Sequence, residues 1–342
     1  MKKQTLGMLA AAVLMTLGTH AAADGGRHGS ASFALIGDAP YGTSVETKFD
    51  QVISNINAAP HVRFVVHTGD VKAGSERCDD ALLQKRFNQF QSFRDGVVVT
   101  PGDNDWTDCH RTNNGNYLPT ERLAKFREIF YPIAGMTSGQ HRFPVRTQAA
   151  MAGFEDYVEN MMWGFNGAMM ATVHVVGSNN GLDPWIQIDP TDSYDAPRPD
   201  RLAEVQAREA AALAWVDEGF AQAAARKSAG VMIAMQANPR FDLPATDAER
   251  QGFNKVLERI TQQAIAFGKP VLLAHGDSHY FRVDKPLAGP VQPSGSQMLE
   301  NVTRVENFGA QNVHWVEVFV NPRDPNVFRV EPRIVKANLF AR

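Results

Sequence analysis

Three short apolar runs in the first third of the chain, 33–36, 62–66 and 97–99, each stop near a glycine followed by an aspartate: Gly37-Asp38, Gly69-Asp70 and Gly102-Asp103. Between them lie two stretches with apolar residues at helical spacing. The first carries Val45, Phe49, Val52, Ile53 and Ile56, the second Leu83, Phe87 and Phe90. Strand, helix, strand, helix, strand in this order predicts a parallel sheet with covering helices. Ligands of such sheets gather outside the carboxyl ends of the strands. Glycine allows a sharp turn and a close backbone approach, so each aspartate can face that crevice. A turn or a helix cap would account for one such pair. Three in succession are hard to explain by capping alone.

The third strand end is the richest in donors, with Asp103, Asn104 and Asp105 following Pro101-Gly102. Oxygen donors crowded at the end of a buried strand suit a hard cation. Two later apolar runs end the same way. The run 231–235 leads to Gln236 and Asn238, and the run 271–274 leads to His275, Gly276, Asp277, Ser278 and His279. Periodicity predicts further helices at 121–130, 201–227 and 248–267. Asn166-Gly167 predicts a hairpin turn between strands at 157–163 and 168–176. Residues 181–200, rich in Asp and Pro, read as a long loop that forms one wall of a cleft. Runs at 302–308, 313–320 and 327–335 read as strands.

The order of these strand ends resembles the calcineurin-like metallophosphoesterase superfamily, over the chain from Phe33 to about Val335. The resemblance implies an α/β fold of the αββα sandwich type, two central mixed sheets flanked by helices, with metal at one edge. It implies Asp38, Asp70, Asp103, Gln236, Asp277 and His279 as metal ligands, Asp70 being the bridging one. Asn104 stands where the family has the histidine that protonates the leaving group, and Asp105 follows it. His110 is the substitute acid, with His67 a weaker candidate; Asn104, Asp105 and His110 are thus the catalytic candidates. Arg111, Arg240 and Arg282 are candidate phosphate clamps. His174, inside an apolar run, reads as a core residue, and His275 as core or support. Most of the family's nitrogen ligands are replaced by oxygen donors here. One or two divalent ions are therefore expected, with Mn, Mg or Ca favoured over Zn or Fe.

Composition bounds the rest. The formal net charge of the 342 residues is -3, and no Lys/Arg run marks a nucleic-acid patch. Met1-Lys2-Lys3, the apolar stretch 6–17 and Ala21-Ala22-Ala23 have the form of a signal peptide over residues 1–23. Its removal would take the charge to -5, leaving residues 24–342 as one domain without a membrane span, exported to the periplasm or secreted. Cys78 and Cys109 are the two cysteines, and an exported chain with two is expected to pair them.

The expected function is metal-dependent hydrolysis of phosphomonoesters or phosphodiesters, with a small phosphorylated substrate. The alternative is a catalytically weak relative that binds a phosphorylated ligand in the same pocket. A serine hydrolase of the α/β type fails for want of G-x-S-x-G, and a phosphate-loop nucleotide site for want of G-x-x-x-x-G-K.

Overall fold

The computed structural model describes residues 31–289 and 297–339. The expected signal segment lies outside them. Elements follow in the order β1 (Ala31–Ile36), α1 (Thr43–Asn57), β2 (Val62–His67), α2 (Asp80–Phe90), β3 (Gly96–Val99), α3 (Pro119–Phe130), β4 (Arg146–Thr147), β5 (Met161–Phe165) and β6 (Ala168–Thr172). Then come α4 (Gly177–Asn180), α5 (Pro199–Ala225), β7 (Gly230–Ala234), α6 (Asn254–Phe267), β8 (Val271–His275), β9 (Arg282–Asp284), β10 (Val302–Glu306), β11 (Trp315–Val320) and β12 (Phe328–Arg333).

The strands form two mixed sheets, ordered β12-β11-β1-β2-β3 and β4-β5-β6-β7-β8-β10-β9. In the first, β1, β2 and β3 run parallel. In the second, β6, β7, β8 and β10 do. Alternation along the strands explains the layering. Met170, Met232, Ala234, Leu272 and Ala274 enter the core shared with Phe33, Phe64 and Val65 of the first sheet. Their neighbours Met169, Val231, Ile233, Val271 and Leu273 pack with Trp215, Val216 and Phe220 of α5 and Val256 and Ile260 of α6. On the other side α1 buries Val45, Phe49, Val52, Ile53 and Ile56. Each such side chain contributes roughly 1.5–3 kcal/mol when fully buried. The architecture is therefore two mixed sheets flanked by helices, as expected.

Local chemistry sets the boundaries. Pro119 and Pro199 open α3 and α5 at the position where a missing N–H costs nothing. Gly268 closes α6 in the left-handed conformation. Asn166 (φ 42°) and Gly167 (φ 80°) make the expected hairpin turn. Residues 248–253 form a separate 3-10 turn ahead of α6. The pairs β4 and β9 are too short for alternation to signal. No described helix is long and apolar enough to cross a membrane.

Candidate functional site

The parallel strands of both sheets deliver their carboxyl ends to one edge. Asp38 follows β1, Asp70 follows β2, Asp103 follows β3, Gln236 follows β7 and Asp277 follows β8. Asp38 (φ 52°), Asp70 (φ 57°), Asp277 (φ 79°) and His279 (φ 59°) all hold left-handed backbone. Non-glycine residues rarely do, at a cost of about 1–3 kcal/mol each, and such strain collects at functional sites. The recurrent glycines have a physical reason. A β-carbon on Gly102 would lie 2.0 Å from Asp70 Oδ1, and one on Gly276 would lie 2.2 Å from Asp38 Oδ2. The glycine of one strand end thus makes room for the aspartate of another.

Protein donors orient each carboxylate. Asp38 accepts the Asp277 N–H at Oδ1 (3.0 Å) and Asn307 Nδ2 at Oδ2 (2.9 Å). Asp70 accepts the Asn104 N–H at Oδ1 (3.1 Å), and both Asn104 Nδ2 (2.7 Å) and the Tyr41 hydroxyl (2.9 Å) at Oδ2. Asp103 accepts Gln236 Nε2 at Oδ1 (2.9 Å) and the Ser178 hydroxyl at Oδ2 (2.9 Å). Asp277 Oδ2 accepts the Asn238 N–H at 2.9 Å. His279 Nε2 stands 3.8 Å from Asp38 Oδ1, with Tyr41 edge-on to its ring.

Acid groups dominate the electrostatics; the buried Lys72 ammonium, which donates to Ala73 O, Glu76 O and Asn114 Oδ1, acts on Asp70, Asp105 and Asp108 from behind the crevice. Among the described residues no Lys or Arg lies within 4.0 Å of the carboxylates of Asp38, Asp70, Asp103 or Asp277. Burial pushes the Asp38 carboxyl up to about 8, with Glu306 and Asp103 adding to the push. Burial also drives Asp70 and Asp277 well above the carboxylate range, and each feels Asp103 and Asp38. The Tyr41 phenol is raised by burial and by Asp70, so it stays protonated. Burial lowers His279.

Several sequence candidates have other work. Asp105 is fully buried and accepts the N–H groups of Gly102 (2.8 Å), Asp70 (3.0 Å) and Val71 (2.9 Å). It therefore ties the ends of β2 and β3 together and acts as a positioning residue. Burial raises its carboxyl to about 7 against these donors. Gln236 Oε1 accepts the Gly177 N–H at 2.6 Å, which turns its amide nitrogen, not its oxygen, toward Asp103. Asn104 serves Asp70. His110 sits across Ser178 from the carboxylates, on a separate cavity wall, lowered to about 4 by burial and by Arg111. His67 accepts the Gly69 N–H at Nδ1 and meets Ala39 O at Nε2 (2.9 Å), a structural role. His174 is buried against Glu159 at 2.8 Å. His275 is buried at the end of β8, its Nδ1 2.9 Å from Gly276 O. Arg282 lies beside Glu306 at 2.8 Å.

Sequence reading missed Tyr41, Ser178, Asp108 and Asn307. Ser178 bridges Asp103 and Asp108 Oδ1 (2.8 Å) from α4, a single turn in which Ser178, Asn179 and Asn180 are all left-handed. Arg208, fully buried, holds that turn at Asn180 O (2.9 Å). The Val-Gly-Ser-Asn-Asn-Gly string was the available signal, since Asn tolerates this conformation. Cys78 and Cys109 form the expected disulfide, with Cα atoms 5.8 Å apart and both sulfurs 3.8 Å from Asn104 O.

The loop after α4 walls the site as expected. Arg201 grips Asp192 through two nitrogens (2.8 and 2.7 Å), and Asp192 accepts the Trp185 N–H. A cavity of about 300 Å3 lies between this loop and His110, and one of about 360 Å3 between it and Asp277. A larger cavity of about 650 Å3 opens where β8 and β12 begin, and none of the candidate residues lines it.

The donor set fits a hard divalent cation in kind: buried carboxylates and one imidazole, with no Lys or Arg ion-paired to those carboxylates among the described residues. Among the described residues, however, no three His, Cys, Asp or Glu side chains already converge as a metal-holding group. The carboxylates lean on protein N–H and O–H groups instead.

No family model matches the chain, and no curated protein matches its sequence. Solved structures that are similar over most of its length include the following two. One is GAP50, the anchor in the inner membrane complex of Plasmodium, at 12% identity over 90% of this chain and 89% of that chain, with a TM-score of 0.42. The other is the phosphopantetheinyl hydrolase PptH from Mycobacterium tuberculosis, at 13% identity over 88% and 96%, with a TM-score of 0.46. Scores this low say nothing of activity, and the two-sheet architecture rests on the strand order itself.

Proposed function

We propose that the crevice is the site of a metallophosphoesterase-like hydrolase that uses one or two divalent cations. The observation that carries this reading is the gathering of four strand-end carboxylates, Asp38, Asp70, Asp103 and Asp277, without a Lys or Arg partner among the described residues. Buried like charges of this kind need protons or a cation. Those four and His279 would hold the ion, and oxygen donors favour Mg, Mn or Ca. When bound, the ion supplies Lewis-acid charge for a phosphoryl group.

The chain's own residues prepare that site. Tyr41 and Asn104 fix Asp70, Gln236 and Ser178 fix Asp103, and Asn307 fixes Asp38. The Asn104 amide does not ionise to protonate a leaving oxygen; His110, the imidazole on the adjoining cavity wall, is held down to about 4 and would carry a donatable proton only in the acid range. The reading includes one exported domain over residues 24–342, supported by the leader-like start of the sequence and by the disulfide.

The second reading is a protein that binds a phosphorylated ligand without turning it over. It is favoured by Asn104, whose amide occupies Asp70 where an acid would act. Hydrolysis of a panel of phosphoesters with added Mn, Mg, Ca or Zn separates the two. Metal-dependent turnover lost in Asp70→Asn supports the enzyme. Ligand binding with no turnover under any metal supports the binder.

A further inference from the structure

We propose that the crevice holds one divalent cation and not a pair, because Tyr41 and Asn104 take up the lone pairs with which Asp70 would bridge to a second. This rests on the hydrolase reading above and deepens it to a cation count.

The first ground is the lone-pair arithmetic of Asp70, the carboxylate expected to bridge. It feels the charges of Asp103, Asp38 and Asp277 together, so it stands among them. An ionised carboxylate offers about four lone-pair positions, two on each oxygen. Oδ2 already accepts Asn104 Nδ2 at 2.7 Å and the Tyr41 hydroxyl at 2.9 Å, and Oδ1 accepts the Asn104 N–H at 3.1 Å. That leaves a single position, on Oδ1, and a bridge between two ions needs one for each.

The cap is closed on itself. The single hydroxyl proton of Tyr41 goes to Asp70, so the phenol oxygen accepts Asn104 Nδ2 at 3.0 Å. Tyr41 comes from the turn after β1, Asp70 from the end of β2 and Asn104 from the end of β3, so the cap ties three strand ends.

The second ground is a shortage of neutral oxygen. Mg is octahedral and Ca takes about six to eight oxygens. Asn104, Gln236 and Asn307 all turn amide nitrogens, not oxygens, to Asp70, Asp103 and Asp38. An amide N–H donates and does not ligate a cation. One ion can draw on Asp38, Asp103, Asp277, His279 and Oδ1 of Asp70; a second would have to share them with Asp70 out of the bridge. A pair of ions clamps both the attacking and the leaving oxygen of a displacement. With one, the other oxygen depends on donors of the chain itself.

The test counts ions on the purified chain. Chelator-treated protein is equilibrated with Mn, bound metal per chain is read by elemental analysis, and electron paramagnetic resonance is recorded on the same sample. Wild type is expected at one ion per chain, with the hyperfine pattern of isolated Mn. Tyr41→Phe removes a hydroxyl and Asn104→Ala an amide, and each returns one lone pair to Oδ2. Each should therefore take a second ion and show the added lines of an exchange-coupled pair. Should one variant fail to fold, seen by circular dichroism, the other carries the comparison. Two ions on the wild type, or a coupled-pair spectrum, overturn the inference and leave the hydrolase reading standing. A count that stays at one in every folded variant also overturns it, since the cap is then not what limits the site. No ion on the wild type overturns the hydrolase reading, and this inference with it.

Discussion

Gly276 and Asp38 belong to different sheets, yet a β-carbon on Gly276 would stand only 2.2 Å from Asp38 Oδ2. The first sheet's carboxylate is seated directly on the second sheet's backbone, and the neighbouring Asp277 N–H donates to its other oxygen at 3.0 Å. Gly276→Ala should therefore displace Asp38. The expected outcome is loss of cation binding by tenfold or more, with about 1–3 kcal/mol of overpacking cost in denaturant unfolding. Wild-type binding in the alanine variant would contradict this seating.

Asp105 offers a contrasting test. Its removal leaves the N–H groups of Gly102, Asp70 and Val71 without their acceptor. Unsatisfied buried donors cost about 1–3 kcal/mol each. Asp105→Ala should lower the unfolding free energy by several kcal/mol. A change below about 1 kcal/mol would show that water replaces the carboxylate easily.

The raised carboxyls predict a specific pH response. Asp38 binds its proton more tightly in the folded state, at about 8 against an ordinary 3.8. The stability this gives is complete below 3.8 and is lost as pH rises through about 8. Chelator-treated protein should thus lose melting temperature across that window, and added Mg or Mn should restore it. Cation affinity should rise over the same window as protons leave the ligands. A melting temperature that climbs toward pH 8 without metal would refute the assignment.

An acid-side response should come from elsewhere. Burial alone would raise the Glu159 carboxyl, but Arg127 and His174 hold it down to about 2. Its contribution is present above the ordinary 4.5 and is lost as pH falls through about 2. Glu159→Gln should flatten acid unfolding in that range, read by circular dichroism, at a cost in stability at neutral pH.

The disulfide closes a loop between residues 31 apart. For a loop of this length the chain-entropy model gives about 3–4 kcal/mol. Thiol labelling of the purified protein should find no free cysteine. The double variant Cys78→Ser with Cys109→Ser should lose stability of that order, and also weaken cation binding, because Asn104 O rests on both sulfurs.

Much of this fold is legible in the sequence because β1, β2, β3 and β8 are largely apolar and each leads into a Gly-Asp. The alternation that places Met232 toward one sheet and Ile233 toward the helices is an ordinary period of two. What the sequence concealed depends on tertiary contact. Asp105 looks like its neighbour Asp103 until the three N–H groups around it are seen. Gln236 looks like an oxygen ligand until the Gly177 N–H fixes its amide the other way round. Ser178 and Tyr41 carry no motif, and only the packing of α4 and of the turn after β1 brings them to the carboxylates.

The central claim is that these carboxylates bind a divalent cation, and calorimetric titration tests it most directly. Chelator-treated wild-type protein would be titrated with Mn and Mg, beside Asp103→Asn. The account predicts saturable binding of one or two ions, with release of protons, lost or weakened by tenfold or more in the variant. Absence of binding to the wild type, or equal binding to both proteins, would contradict it.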